Sequence, residues 1–233
     1  MHTFHLPDLS GAEAELPEEE AAHAVRVLRL KDGEAITLVD GKGTTATGHL
    51  WIQGKHAASV VIAERVVHQL ERSARIHLAV APTKQIDRFE WMLEKCTEIG
   101  VDRITPLITA RTERTHVRTD RLQKIVVSAM KQSQRAWMPR MDDPATLDQL
   151  LKLDLPAQRF FGWCEGKHQP LIRAYSKVLD VVLLIGPEGD FTPAEALSMS
   201  KSGVAPISLG NARLRTETAA IMACATLNLA QVA

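Results

Sequence analysis

The sequence of 233 residues has few of the features that mark secreted, metal-binding or membrane proteins. Its three cysteines, Cys96, Cys164 and Cys224, form neither a Cys-x-x-Cys pair nor a cluster with histidine, which disfavours disulfide and zinc scaffolds. The apolar runs are the length of a strand, too short to span a bilayer. The first residues, MHTFHLPDLS, lack the basic and apolar regions of a secretory signal. We expect a cytoplasmic protein without metal or membrane partner, whose three cysteines are buried and reduced.

The sequence also lacks the common motifs that bind nucleoside triphosphates or dinucleotides and those that supply a catalytic nucleophile. The loop from Gly186 to Phe191 has no Gly-Lys-Ser/Thr ending, and no Gly-x-Gly-x-x-Gly follows a strand. No Gly-x-Ser-x-Gly string or Cys/His pair suggests a nucleophile. The formal net charge is zero, but acidic residues crowd the N-terminus and a basic excess runs from Arg103 to Arg140, where we expect few neutralising acids. That excess predicts either a phosphate-binding face or an ordinary solvated surface.

The pattern of predicted elements changes near residue 70. Before it, a helical stretch around His23 is followed by short alternating segments with turns at Asp40-Gly41 and Gly54-Lys55, which predicts a compact β-barrel. After it, apolar strands alternate with helices, the first with a capping box at Asp87 and Glu90. Such alternation predicts an α/β domain with a mostly parallel sheet and helices on both faces. We predict domains at residues 1–70 and 75–233.

Two strand-loop-helix units near the C-terminus contain the most informative loops. The run VVLLI leads into GPEGDF, and Thr192 and Glu195 then predict a capping box for the next helix. A second strand at residues 206–209 ends at Gly210, and Thr216 is expected to cap the final helix. Both loops follow the carboxyl ends of strands, where open α/β sheets bind ligands. They predict a small-molecule site built from backbone groups, with simple tight turns as the alternative.

The strings IGPEGDF and LGNARLRTETA resemble the C-terminal motif of the RsmE family of SPOUT-class methyltransferases. The segment from Lys84 to Val101, the string Gln132-Ser133-x-Arg135, and the string from His23 to Arg29 resemble further motifs of the family. Two positions depart from its pattern. Asp190 replaces a glycine, a change that should be tolerable if the residue has a negative φ, and Ala212-Arg213 stands where the family has Arg-Ile.

The resemblance implies a SPOUT-type, trefoil-knotted, mostly parallel sheet with an N-terminal PUA-like β-barrel domain. It implies methylation of N3 of one uridine in 16S ribosomal RNA of the small subunit, with S-adenosyl-L-methionine as cofactor, by a homodimer formed through the knot domain. The implied cofactor-binding residues are Leu184, Ile185, Gly186, Pro187, Glu188, Gly189, Leu209, Gly210 and Leu214.

Two residues of the last motif are catalytic candidates. Arg215 can contact the uracil oxygens or a flanking phosphate, unless it pairs with Glu188 or Glu217. Glu217 can accept the N3 proton, or it can stabilise the helix terminus. The resemblance further implies RNA contacts by Arg26, Arg29, Arg88 and Arg135. Trp137 is either a base-stacking surface or part of the core.

Three other functions compete with this interpretation. Another SPOUT enzyme would act on a ribose hydroxyl or on a tRNA guanine, which the LRTETA string disfavours. A non-catalytic RNA-binding assembly factor would keep the fold without the cofactor. A nucleotide-dependent α/β enzyme is disfavoured by the missing phosphate motifs.

Overall fold

The computed structural model describes residues 1–70 and 72–232. These residues form two compact units. The first comprises residues 1–70 together with 127–138, and the second comprises residues 72–126 together with 139–232.

The first unit contains a curled five-stranded sheet. Its elements are β1 (Thr3–His5), β2 (Glu13–Glu15), α1 (Glu18–Ala22), a π-turn (His23–Val27), β3 (Ala35–Val39), β4 (Thr44–Ile52) and β5 (Ala58–Val67). The strand order is β1-β3-β4-β5-β2, and only the β1–β3 pair is parallel. Asp40 builds the predicted first turn, because its Oδ1 accepts hydrogen bonds from the backbone N–H groups of Lys42 and Thr44.

The second unit contains a parallel sheet with helical connections. Its elements are β6 (Ile76–Val80), α2 (Ile86–Ile99), β7 (Arg103–Ile108), α3 (Thr119–Gln132, whose end lies in the first unit), β8 (Arg140–Met141), β9 (Ala145–Thr146), α4 (Leu147–Leu151), β10 (Gln158–Gly162), α5 (Leu171–Ala174), β11 (Val181–Ile185), α6 (Pro193–Lys201), β12 (Ala205–Ile207) and α7 (Thr216–Val232). The main strand order is β12-β10-β11-β6-β7-β8, and β9 pairs with β7.

Successive residues of the central strands enter different cores, which explains the uninterrupted apolar runs in the sequence. In β11, Val181 and Leu183 belong to a cluster with residues of α2 and α7, whereas Val182 and Leu184 belong to a cluster with residues of α4 and α6. The prediction of a mostly parallel sheet with helices on both faces is confirmed.

Helix boundaries agree with the sequence at some positions and differ at others. Thr192 and Glu195 form the predicted capping box of α6, and Gly100 ends α2 with a φ of 112°. The predicted capping box at Asp87 is wrong, because α2 begins at Ile86 and Gln85 precedes it without a side-chain cap. Glu90 instead forms an ion pair with Arg121.

The cysteine prediction holds for two of the three residues. Cys96 and Cys224 are buried free thiols, but Cys164 is exposed, so its predicted buried role is wrong. Across residues 1–70 and 72–232, no helix combines the length and apolar character needed to cross a membrane. The same residues contain no group of three or more His, Cys, Asp or Glu side chains arranged to hold a metal ion.

Candidate cofactor and substrate site

The loop after β11 is held by the first residue of the final helix. The hydroxyl of Thr216 donates a 3.0 Å hydrogen bond to the carbonyl oxygen of Gly186, and both residues are buried. Thr216 was expected to cap α7 from outside, but it is the first helical residue. Its side chain therefore joins two loops that the sequence separates by some thirty residues.

Gly186 permits a close approach that any side chain would obstruct. A Cβ atom placed on it would lie 3.2 Å from ring atoms and from the backbone nitrogen of Phe191. Phe191 is fully buried and meets Phe161 edge to face, with ring centroids 5.9 Å apart. The loop from Gly186 to Phe191 thus folds over its own glycine and is anchored by an aromatic side chain.

Arg111 fixes the outer part of this loop, a role that the sequence analysis missed. Its Nη1 donates to the carbonyl oxygens of Gly189 at 2.6 Å and Phe191 at 3.2 Å. A Cβ on Gly189 would lie 3.3 Å from the Arg111 side chain. Arg111 follows β7, whose carboxyl end lies at the same edge of the sheet as that of β11. This shared edge is the one feature from which a contact between Arg111 and the loop could have been predicted.

Two carboxylates connect neighbouring loops at the same edge. Glu188 accepts a 3.0 Å hydrogen bond from the backbone N–H of Lys84, which follows β6. Glu195 accepts a 2.8 Å hydrogen bond from the backbone N–H of Ala110, which follows β7. The Glu188 side chain therefore positions a loop, and it does not pair with Arg215 in the part of the chain that the structure describes.

Asp190 adopts a φ of 61°, so the condition under which the replacement of glycine was expected to be tolerable, a negative φ, is not met. Aspartate tolerates this left-handed conformation better than most residues because its short polar side chain can bond locally. Here Oδ1 accepts from the N–H of Phe191 at 2.7 Å, and Oδ2 accepts from the N–H of Cys164 at 3.1 Å. Although the Cys164 residue is exposed, partial desolvation of its thiol, followed by the Asp190 carboxylate, raises the pKa of the thiol, while Arg213 acts in the opposite direction.

The two catalytic candidates have opposite environments. Arg215 is exposed, and within the described ranges it makes no ion pair with Glu188 or Glu217. Glu217 is 6% exposed, and its Oε1 lies 3.9 Å from Nε of Arg88. Its Oε2 is buried without a hydrogen-bond partner among the described residues. A buried carboxylate oxygen in this state has strong unused capacity to accept a hydrogen bond.

The remaining predicted cofactor residues surround these loops. Leu184 and Ile185 are packed into the two cores, so beyond the core only their backbone groups are available. Pro187 is buried, Leu209 and Leu214 are half-buried, and Gly210 is exposed. Gly210 has a φ of 123°, and its N–H donates to the Ser208 hydroxyl.

Comparison with known proteins identifies the family. Residues 70–228 match the RNA methyltransferase domain, and residues 16–62 match the RNA methyltransferase PUA domain. The ribosomal RNA small subunit methyltransferase E of Rickettsia conorii is 32% identical over 92% of this chain and 89% of its own. This chain belongs to the ribosomal RNA small subunit methyltransferase E family. The family predicted from the sequence motifs, which is RsmE, is therefore confirmed.

Other members of the family agree. The Synechocystis ribosomal RNA small subunit methyltransferase E is 32% identical over 87% of this chain and 68% of its own. A probable rRNA-methyltransferase from Porphyromonas gingivalis is 36% identical with a TM-score of 0.90, covering 100% of this chain and 99% of its own. The ribosomal RNA small subunit methyltransferase E of Neisseria gonorrhoeae, whose structure was solved with bound S-adenosyl methionine, is 30% identical with a TM-score of 0.88. The match covers 97% of this chain and 95% of its own.

The first unit contains the residues that match the PUA domain, and it is called the PUA-containing unit below. Within it, Arg26 and Arg29 are both exposed. Arg26 lies on the π-turn and, with His23 and Val27, lines a cavity of about 450 Å³. Arg29 has a φ of 56°, a conformation that costs most residues about 1–2 kcal/mol. π-turns and left-handed non-glycine residues concentrate at functional sites, so the family's N-terminal motif forms an unusual local structure in this unit.

The other residues predicted to contact RNA are less accessible to solvent than Arg26 and Arg29. Arg88 is in the second unit, where its guanidinium faces Glu217. Arg135 is half-buried in the first unit. Trp137 is half-buried in the same unit, and its ring lies so close to Gly43 that a Cβ there would be 2.3 Å from it. This packing favours the core role of Trp137 over the stacking role.

The expectation that the basic segment meets few acids is wrong for much of its length. Ion pairs join Arg118 to Asp120, Arg121 to Glu90, Lys131 to Glu20, and Arg140 to Asp142. Folding therefore neutralises part of the basic excess. Glu90 and Glu20 are distant in sequence from their partners, whereas Asp120 and Asp142 lie two residues from theirs.

Proposed function

We propose that this protein transfers a methyl group from S-adenosylmethionine to N3 of a uridine in 16S ribosomal RNA of the small subunit. Membership of the methyltransferase E family supports the reaction class. One observation carries the proposal: two residues with complementary properties lie two positions apart in the chain. Arg215 is exposed, and Glu217 is buried with one carboxylate oxygen that has no partner among the described residues. Both stand beside the loop that follows β11, because Thr216 is bonded to Gly186.

The residues present suit S-adenosylmethionine. A side chain on Gly186 or Gly189 would crowd Phe191 or Arg111, so this loop presents backbone groups, and these can pair with the ammonium group and ribose hydroxyls of the cofactor. Backbone groups of Gly186, Gly189 and Gly210 would hold its polar parts, while Leu209 and Leu214 would cover its apolar ones. When bound, the cofactor supplies a methyl group on a sulfonium, so alignment matters more than a protein nucleophile.

The uracil ring sets two further requirements. Its N3 carries a proton that must leave, and negative charge then spreads onto O2 and O4. Arg215 is the group that stabilises this charge, because its guanidinium is permanently cationic and forms no ion pair with a carboxylate of the described residues. Glu217 is the candidate proton acceptor, with Arg88 facing its other oxygen.

RNA binding is assigned to both units. Arg26, Arg29 and Arg135 would contact RNA from the PUA-containing unit, and Arg88 from the methyltransferase unit. The domain boundaries predicted from the sequence, residues 1–70 and 75–233, stay a prediction, and they would place Arg135 in the second domain. Phosphate contacts by these arginines would position the RNA without reading its sequence.

Three wider features complete the proposal. We propose a trefoil knot in the sheet, a homodimer formed through that domain, and a cytoplasmic location. The exposed apolar side chains of α7, Met222 and Leu229, are suited to a subunit interface. A mass of one chain in light scattering, from a fully active preparation, would contradict the dimer.

The test combines cofactor binding with methyl transfer. Arg215→Ala should abolish transfer and leave the calorimetric affinity for S-adenosylmethionine unchanged. Arg173→Ala, a matched exposed arginine on α5, should behave as wild type. Glu217→Gln should lose transfer while the protein stays folded. Full activity in both site variants would refute the assigned roles, and absence of cofactor binding in wild type would favour the assembly-factor alternative.

A further inference from the structure

A group of mostly basic and polar side chains, none of them part of the site described above, lies at the carboxyl edge of the sheet. It lines a shallow cavity of about 330 Å³ that is open to solvent and is formed by Lys84, Glu113, Arg114, Thr115 and His116. The backbone N–H of Lys84 donates to Glu188, so the cavity adjoins the predicted cofactor loop. The Arg114 guanidinium donates twice to the carbonyl oxygen of Lys84, at 3.1 and 3.2 Å, which fixes one wall against the other.

The lining has the chemistry of an anion site. The Lys84 ammonium, the Arg114 guanidinium and the Thr115 hydroxyl supply donors, and the imidazole of His116 lies beside the hydroxyl at 3.1 Å. The lining contains one acid, Glu113, whose Oε2 is 2.8 Å from Nζ of Lys84. The hydrogen bond from Lys84 to Glu113 raises the pKa of the lysine, as expected for an ammonium that has an anionic partner.

The Lys84–Glu113 pair is poorly suited to a structural role. The two side chains are 70% and 56% exposed, and ion pairs in such surroundings contribute little to stability because water screens them. Glu113 is therefore a counter-ion that another anion can replace at small cost. Since the proposed substrate is RNA and the cavity borders the proposed reaction site, the available anion is a backbone phosphate.

We propose that this cavity binds a backbone phosphate of the substrate RNA next to the target uridine, and that the phosphate replaces Glu113 as the partner of Lys84. The inference rests on the proposed function, because it takes RNA as the substrate. It predicts opposite effects from the two members of one ion pair: Lys84 attracts the ligand, whereas Glu113 competes with it.

The experiment measures binding of a 16S rRNA transcript over a range of salt concentrations. Lys84→Gln should weaken binding several-fold and reduce the slope of log affinity against log salt by about 0.7, the value for one phosphate contact on a single strand. Glu113→Gln should strengthen binding. Lys201→Gln, an exposed lysine on α6, is the matched control and should change neither quantity. Unchanged affinity for S-adenosylmethionine verifies that each variant keeps the cofactor loop.

Two results would overturn the proposal: equal affinities and salt slopes for all variants, or a loss of binding in both Lys84→Gln and Glu113→Gln, which indicates a structural pair. Its failure is distinct from failure of the proposed function. Wild-type protein that methylates the RNA while the variants bind normally refutes the phosphate site alone. Protein that shows the opposite shifts in binding but transfers no methyl group refutes the reaction alone. Wild-type protein that fails to bind RNA refutes both.

Discussion

The Thr216 hydroxyl donates a 3.0 Å hydrogen bond to the Gly186 carbonyl in a buried environment. This contact places the first turn of α7, which contains Glu217, against the loop that follows β11. Two motifs that are separate in the sequence thereby become one site. The contact also satisfies a buried carbonyl group for which the described residues offer no other hydrogen-bond donor.

Removing that hydroxyl should therefore affect stability and cofactor binding together. Thr216→Val keeps the shape but leaves the Gly186 carbonyl unsatisfied, at a cost of about 1–3 kcal/mol. Denaturant unfolding should show this loss, and calorimetry should show weaker binding of S-adenosylmethionine. Thr218→Val, an exposed position on the same helix, is the control and should change neither. Equal stability of the two variants would show that the contact is unimportant.

A methyl group on Gly186 should disturb the loop through Phe191. Gly186→Ala places its Cβ 3.2 Å from the ring and backbone of a fully buried residue, so we expect overpacking to destabilise the fold by about 1–3 kcal/mol. Gly54→Ala introduces the same group where no atom lies within 4 Å. Thermal unfolding should separate the two variants clearly. A Gly186→Ala protein that melts with wild type would mean that the loop yields freely.

Asp190 should be replaceable only by residues that suit its backbone. Asp190→Asn tolerates the φ of 61° but keeps only one of the two acceptor oxygens, so it should lose one of the bonds from Phe191 and Cys164 and be the least destabilised of the three variants. Asp190→Gly relaxes the backbone but loses the bonds to Cys164 and Phe191. Asp190→Ala has both defects and should be the least stable, by about 1–2 kcal/mol from the conformation alone. Denaturant unfolding should rank them in that order, and an alanine variant as stable as asparagine would contradict this explanation.

His77 should make stability depend on pH. It is buried beside Thr105, with Nε2 2.8 Å from the hydroxyl. Burial, and then the cation of Arg103, lowers its pKa from 6.5 to about 4, against the opposing effect of Asp142. Because the unfolded chain binds the proton more readily, folding free energy should be lost as the pH falls from 6.5 towards about 4.

The expected loss is about 3 kcal/mol, since one pKa unit corresponds to about 1.4 kcal/mol. Denaturant unfolding across this pH range measures it. His77→Gln can still bond to Thr105 but does not titrate, so its stability should change less over the same range. Identical pH profiles for the two proteins would show that His77 is not the responsible group.

The sequence predicted the parts of this structure that depend on local patterns. Three such features were predicted correctly: the apolar run of β11, the capping box at Thr192 and the glycine that ends α2. Each is predictable because strand burial and helix termini depend on the identity of a few neighbouring residues. The family motifs then indicated which loops form the site.

Features that depend on contacts distant in sequence were not predictable in this way. Arg111 reaches the carbonyl groups of Gly189 and Phe191 across nearly eighty residues, and only the shared edge of the sheet relates them. The positive φ of Asp190 was not predictable, because one group that bonds to its side chain, the N–H of Cys164, lies on another strand-loop segment.

The measurement that tests the central claim most directly is methyl transfer from radiolabelled S-adenosylmethionine to small ribosomal subunits from a strain that lacks this protein. The modified nucleoside would be identified by mass. The account predicts label in 3-methyluridine of 16S rRNA with wild-type protein and none with Arg215→Ala. Label in a different nucleoside, or no label despite tight cofactor binding, would contradict it.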